Sequence, residues 1–98
     1  EANILALRTR AASSPGLGRY RHVARILTGR PDSEPEDGVK WVASLVQELQ
    51  VPGLASYGIS PDHIPELAGK AAQASSMKGN PVVLTAEELT GILRRALY

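Results

Sequence analysis

Residues that could do chemistry are few in this 98-residue chain. The two histidines, His22 and His63, lie far apart in the sequence. The only other possible metal ligand at helical spacing from either of them is Glu66, three residues after His63. A helical metal site needs several ligands of this kind, so His63 with Glu66 could hold a cation only weakly; an exposed polar pair is the commoner arrangement. The chain has no cysteine, which excludes a thiol nucleophile and a thiolate metal site.

No other pattern supplies a reaction centre. The serines stand in no nucleophile elbow, and no Asp and His are placed to activate one of them. Gly16-Leu17-Gly18 is too short for a dinucleotide fingerprint. For Arg19, Arg21 and Arg25, a solvated surface is the simpler interpretation and phosphate binding the rarer one. The residues alone therefore predict no catalytic, metal-binding or cofactor-binding site in this chain.

Charge and hydropathy exclude further classes of function. Eleven basic and ten acidic residues give a net charge of +1, so we expect neither a nucleic-acid partner nor a membrane partner. No run of residues is long and apolar enough for a membrane span, and we expect the protein to be cytoplasmic. The chain begins at Glu1 without an initiator methionine, which indicates a piece of a longer polypeptide; a processed terminus is the alternative.

Apolar residues spaced by three and four predict an all-α fold, an irregular bundle of about five helices in one domain, residues 1–98. Asn3 is a candidate cap of the first helix, and two capping boxes are expected, Ser33 with Glu36 and Thr85 with Glu88. The helices are expected at residues 2–12, 17–28, from 33 to the break at 51–53, from 61 to about 76, and 86–97.

The third and fourth helices carry the most specific expectations. An apolar stripe predicts that the third helix is the spine of the core; its members are Val39, Trp41, Val42, Leu45, Val46 and Leu49.

Pro65 would remove an early backbone bond from a helix begun at Pro61, so either the opening turn is separate or the helix is slightly kinked. Gly79 supplies permissive backbone just past the helix end, Asn80 tolerates a left-handed conformation, and Pro81 prevents the helix from continuing.

The order of these pieces resembles the C-terminal helical domain of iron-containing alcohol dehydrogenases. Residues 49–59 are similar to that family's loop before a helix, and residues 60–74 to the helix that follows. Residues 76–81 with residues 84–89 resemble its Asn-Pro loop and closing helix. Asn3 and residues 20–29 fit the segment after the family's last metal-binding histidine.

The resemblance implies a fold related to that of dehydroquinate synthase and a two-domain enzyme that interconverts alcohols and aldehydes or ketones. It further implies NAD or NADP bound by an N-terminal domain, and a divalent metal, iron or zinc, held by one aspartate and three histidines. All these groups would lie upstream of Glu1, and neither His22 nor His63 stands where the family has a ligand. The resemblance therefore implies no catalytic, cofactor or metal role for any residue here, and an inactive chain.

The resemblance implies a functional role only for the loop before Asn80 and Pro81, which in the family lies near the substrate side of the cleft. It makes Ser75, Ser76 and Met77 candidate pocket-lining residues, held in place by Asn80 and Pro81; a plain helix connection is the alternative.

The expected partners are the missing N-terminal nucleotide-binding domain and, in the full-length enzyme, a small alcohol or aldehyde. An exposed apolar surface where upstream helices packed should also drive self-association. The rival hypothesis is a free-standing helical interaction module. Its contact would be the small-residue face of Ala68, Ala71 and Ala72, or the arginine-rich second helix.

Overall fold

The computed structural model describes all 98 residues, Glu1–Tyr98, and contains five α-helices and no strand. The all-α fold predicted from the sequence is confirmed. No helix combines the length and the apolar character that a bilayer crossing requires. The helices are α1 (Ala2–Arg10), α2 (Gly16–Thr28), α3 (Pro35–Glu48), α4 (Ile64–Gln73) and α5 (Ala86–Ala96), with 3-10 turns at Leu54–Tyr57, Pro61–His63 and Ser75–Gly79.

The chain divides into two compact units, Glu1–Val51 with α1 to α3 and Pro52–Tyr98 with α4 and α5. In the first unit α2 packs against α3, and α1 packs against α2. Leu7 of α1 is fully buried and contributes roughly 1.5–3 kcal/mol to stability on the usual area scale. Leu17 and Ala24 of α2 are also buried, as their spacing predicts. The organisation of residues 1–98 as one domain stays a prediction.

Helix α3 meets α2 through its first turns. A Cβ atom placed on Gly38 would lie 3.0 Å from the Cβ atom and 3.1 Å from the Cα atom of Ala24, so the missing side chain is what lets the helices approach. Pro35 is buried at the same end of α3. This tight contact occupies only the N-terminal part of the helix.

The prediction that the apolar stripe of α3 forms the spine of the core is wrong. Every residue from 41 to 50 is exposed, and the large side chains of the stripe from Trp41 onward keep between 37% and 66% of their surface in contact with solvent, whereas Val39 is half-buried. The buried positions of α3 are instead Pro35 and Gly38. Helical spacing shows which side of a helix is apolar but not whether a neighbour covers it, and here α2 covers only the beginning.

The start of α1 differs from the expected one. The helix begins at Ala2, so Asn3 lies inside the first turn and does not cap it. The Asn3 side-chain amide instead donates a hydrogen bond of 2.8 Å to the hydroxyl oxygen of Tyr20. Asn3 therefore joins α1 to α2.

The start of α3 also differs, because the predicted capping box of Ser33 with Glu36 does not form. Proline has no N–H to lose and suits the first helical position, which Pro35 takes here. The cap therefore falls on Glu34, whose backbone N–H donates to the Asp37 carboxylate at 2.9 Å. Ser33 is buried, and its hydroxyl shares a 2.6 Å hydrogen bond with that of Thr28.

In the second unit α4 packs against α5, with Ile64, Ala68 and Leu89 buried. The turn Pro61–His63 is separate from α4, which decides between the two alternatives left open by Pro65. The capping box of Thr85 with Glu88 forms as predicted: the Glu88 N–H donates to the Thr85 hydroxyl at 3.2 Å, and the Thr85 N–H donates to the Glu88 carboxylate at 2.8 Å.

The C-terminus is fastened to the beginning of the same unit. Leu97 is buried, and its carbonyl oxygen accepts a 3.0 Å hydrogen bond from the N–H of Ala55. A Cβ atom on Gly53 would lie 2.4 Å from that oxygen, which is closer than any side chain tolerates. Gly53 is therefore required by the close approach of two backbone segments.

Candidate functional site

The candidate pocket-lining residues lie in a 3-10 turn, Ser75–Gly79, that follows α4 directly. The turn is closed by hydrogen bonds from the Met77 N–H to the Ala74 carbonyl at 3.0 Å and from the Asn80 N–H to the Met77 carbonyl at 3.1 Å. Met77 is half-buried, whereas Ser75 and Ser76 are exposed. Ser75 and Ser76 are thus solvent-exposed residues of the turn, next to a partly covered Met77. Their role as pocket lining stays a prediction.

Asn80 holds the chain where it leaves this turn. Its side-chain amide donates a 2.7 Å hydrogen bond to the carbonyl oxygen of Val82, two residues on, as expected of a local Asn turn. Its backbone is extended, with φ −68° and ψ 137°, and not left-handed. Gly79 also avoids positive φ, because α4 ends at Gln73 and the 3-10 turn comes between. The loop is therefore built by hydrogen bonds and proline, and not by a left-handed residue.

One of the two histidines is exposed, and the other caps a turn. His22 is exposed on α2. The Nδ1 atom of His63 lies 3.0 Å from the Ser60 backbone nitrogen, which donates to it, and 3.1 Å from the Ser60 hydroxyl. This histidine completes the cap of its own turn, and no three His, Cys, Asp or Glu residues are grouped to hold a metal ion.

Glu66, which the sequence offers with His63 as a weak cation site, interacts with another residue. Its carboxylate forms an ion pair with Lys70 one turn later on α4. The hydrogen bond from Lys70 lowers the pKa of Glu66 below its ordinary value, and the positive field of the ammonium group adds to this. An anionic Glu66 satisfied by Lys70 is best explained as a solvated helix pair.

The arginines of α2 take part in a charge cluster around the start of α3. Arg21 pairs with Glu34 at 3.1 Å, and Arg8 of α1 holds Glu36 through two bonds of 2.6 and 3.0 Å. The second contact lowers the pKa of Glu36, chiefly through the hydrogen bond from Arg8, and raises the pKa of Arg8. The structure uses Arg21 to join helices, which favours the surface interpretation over phosphate binding.

An apolar groove lies among the three helices of the first unit. It encloses about 250 Å³, and its lining includes Ile4, Tyr20, Val39 and Val42. Two of the lining residues, Tyr20 and Glu1, have polar side chains, and the Tyr20 hydroxyl accepts a hydrogen bond from Asn3. The lining residues include no histidine, lysine or arginine.

The features on which the interaction-module hypothesis depends are partly used inside the chain. Ala68 is buried in the second unit, Ala71 is half-buried, and only Ala72 is exposed. More large apolar residues are exposed on α3 than on any other helix, at the stripe that its spacing assigned to the core. Periodicity located these residues but gave no signal that they are uncovered.

Comparison with known proteins gives one match. A model of the C-terminal part of the Fe-containing alcohol dehydrogenase family matches residues 2–97, which is nearly the whole chain. No curated protein and no solved structure matches significantly. The match covers both units, including the turn with Ser75, Ser76 and Met77.

Proposed function

This chain belongs to the Fe-containing alcohol dehydrogenase family, in whose C-terminal part it lies, and from that premise we propose that it serves in an NAD- or NADP-dependent oxidoreductase. The reaction is the interconversion of alcohols with aldehydes or ketones. The match over residues 2–97 is the observation that carries the proposal. The all-α fold agrees with it. Cytoplasmic localisation stays a prediction.

The residues of this chain do not fit the metal that the family implies. Such a site needs about three or four converging nitrogen and oxygen ligands, whereas His22 is exposed by itself and His63 bonds to Ser60. No group of three ligand-type residues exists in the chain. We therefore place the metal ligands and the nicotinamide-binding domain upstream of Glu1, and we derive no catalytic step from the residues present here.

The contribution that we propose for this chain is to shape the substrate side of the cleft. Ser75 and Ser76 offer hydroxyls at the surface, and Met77 anchors their turn. Hydroxyls in this position could donate to the oxygen of an alcohol or aldehyde, or accept from it. The short bond between Asn80 and Val82 limits how far the turn can move.

The test compares this chain with the product of the full-length reading frame. We expect the purified 98-residue chain to reduce neither NAD⁺ nor NADP⁺ with a panel of primary and secondary alcohols, whether or not iron or zinc is added. The full-length product, loaded with either metal, should reduce at least one nucleotide in the same assay.

Turnover by the 98-residue chain would contradict the proposal that the reaction centre lies upstream. A full-length product that holds metal and nucleotide but oxidises none of the alcohols would contradict the proposed reaction.

A further inference from the structure

The turn that precedes α4 is closed by a histidine at the position where a capping box ordinarily has Glu or Gln. In Ser60-Pro61-Asp62-His63 the residue three after the capping serine is His63, and the two residues form a capping box. The Nδ1 atom of His63 accepts from the backbone N–H of Ser60 at 3.0 Å. Histidine changes its charge between about pH 5 and 8, a range in which Glu and Gln keep theirs. This cap therefore contains a group that binds a proton near neutral pH.

The hydrogen bond from the Ser60 N–H requires the neutral form of the ring. A neutral imidazole has one ring nitrogen free to accept, whereas both nitrogens of the imidazolium carry hydrogen and can only donate. When a proton from solvent binds Nδ1, two N–H groups face each other across the former hydrogen bond. The Ser60 hydroxyl, 3.1 Å from the same atom, can donate or accept and so suits both forms. The backbone N–H is therefore the group that distinguishes the two forms.

An alternative partner for the protonated ring lies one turn further along the chain. His63 is exposed, so protons reach it from solvent, and Glu66 follows it by three residues, a spacing at which helical side chains are neighbours. The charged groups of the turn and of α4, the helix that packs against it, are Asp62, Glu66 and Lys70. Lys70 chiefly, and the charge of His63 to a smaller degree, lower the pKa of Glu66, so this carboxylate is anionic wherever histidine titrates.

We propose that Ser60 and His63 form a pH-sensitive cap at the start of α4. Above the range in which histidine titrates, Nδ1 accepts from the Ser60 N–H and the turn is closed. Below it this hydrogen bond is lost, and the imidazolium ring turns towards the carboxylate of Glu66, so one contact is exchanged for another. The next residue, Ile64, is buried, and the cap therefore lies directly beside the packed side of α4. This inference does not rest on the proposed reaction.

The experiment is nuclear magnetic resonance of the isotope-labelled 98-residue chain between about pH 5 and 8. A scalar coupling through the hydrogen bond, between the Ser60 amide nitrogen and Nδ1 of His63, reports directly on this contact. We expect the coupling at the alkaline end and its loss at the acid end, with the loss following the titration of the His63 ring. His22, which is exposed on α2, is the internal control and should titrate without a coupling to any amide.

Two variants separate the two contacts. His63→Gln keeps an acceptor at the capping position and should make the Ser60 amide resonance insensitive to pH over this range. Glu66→Gln removes the anion and should move the loss of the coupling to lower pH by about 0.2–0.7 pH unit, the size of an exposed ion pair, while the His22 titration stays in place.

A coupling that is absent at about pH 8 or persists at about pH 5 overturns the pH-sensitive cap. So does a Ser60 resonance that responds to pH in His63→Gln as strongly as in the unchanged chain. If the loss of the coupling in Glu66→Gln occurs at the same pH as in the unchanged chain, Glu66 is not the partner of the protonated ring, and that half of the proposal is wrong.

Discussion

One glycine and two arginines make specific contacts between α3 and the other helices of the first unit. Gly38 permits α3 to approach the backbone of Ala24, and Arg8 and Arg21 fasten α1 and α2 to the charged start of α3. Sequence patterns predicted the apolar positions Leu7, Leu17 and Ala24 correctly. They could not identify Gly38, because a glycine inside a helix is distinguished only by the atom that it faces.

Gly38→Ala should destabilise the chain although alanine favours helix. A Cβ atom 3.0 Å from that of Ala24 overpacks the contact at a cost of about 1–3 kcal/mol, against a gain of about 1 kcal/mol from helix propensity. We expect a net loss of about 1 kcal/mol in urea unfolding followed by circular dichroism. Gly18→Ala is the control: nothing lies within 4 Å of its Cβ position, so it should be neutral or stabilising. Equal effects of the two changes would contradict the close-packing argument.

The Arg8–Glu36 contact predicts a pH dependence. Because Arg8 depresses the pKa of Glu36 in the folded chain, the contact stabilises the fold above the ordinary value of 4.5, and this contribution is lost as the pH falls through the lower folded pKa. Both side chains are about half exposed, so the effect should be small. Glu36→Gln should lower the melting temperature slightly at neutral pH and not at all well below pH 4.5. A difference that persists in acid would assign the effect to packing.

Among the elements, α5 was the most predictable and α3 the least. The start of α5 carries a complete local signal, Thr85 with Glu88, whose two residues lie within one helical turn of each other. At the start of α3 two signals compete, and Pro35 prevails over Ser33 because its ring geometry fits the first helical position. Where the structure has the turn Ser75–Gly79, the sequence predicts only the end of a helix and a loop, because short 3-10 turns leave no periodic pattern in a sequence.

Thr85→Ala tests how much the cap of α5 contributes. The change removes the hydroxyl that accepts from the Glu88 N–H and should cost about 1 kcal/mol of unfolding free energy, measured by urea titration. Thr85→Ser retains the acceptor and should cost only a few tenths of this. If serine and alanine were equally destabilising, the threonine methyl group and not the cap would be responsible.

At the scale of the whole molecule, the chain is all-α and belongs to the C-terminal part of the Fe-containing alcohol dehydrogenase family. Two compact units are joined at residues 51–52, and in the first a helix side is left uncovered. The alcohol assay with the full-length product tests the proposal that the reaction centre lies upstream of this chain.

The sequence by itself determined the number and type of the helices, the cap of α5 and the family. These follow from local spacing and from residue chemistry, which need no knowledge of neighbours. Only the tertiary structure decided that the apolar side of α3 faces solvent, that Ser33 is buried against Thr28, and that Gly38 and Gly53 mark the closest approaches. Burial is a property of two surfaces that meet, and a sequence read along one helix contains only one of them.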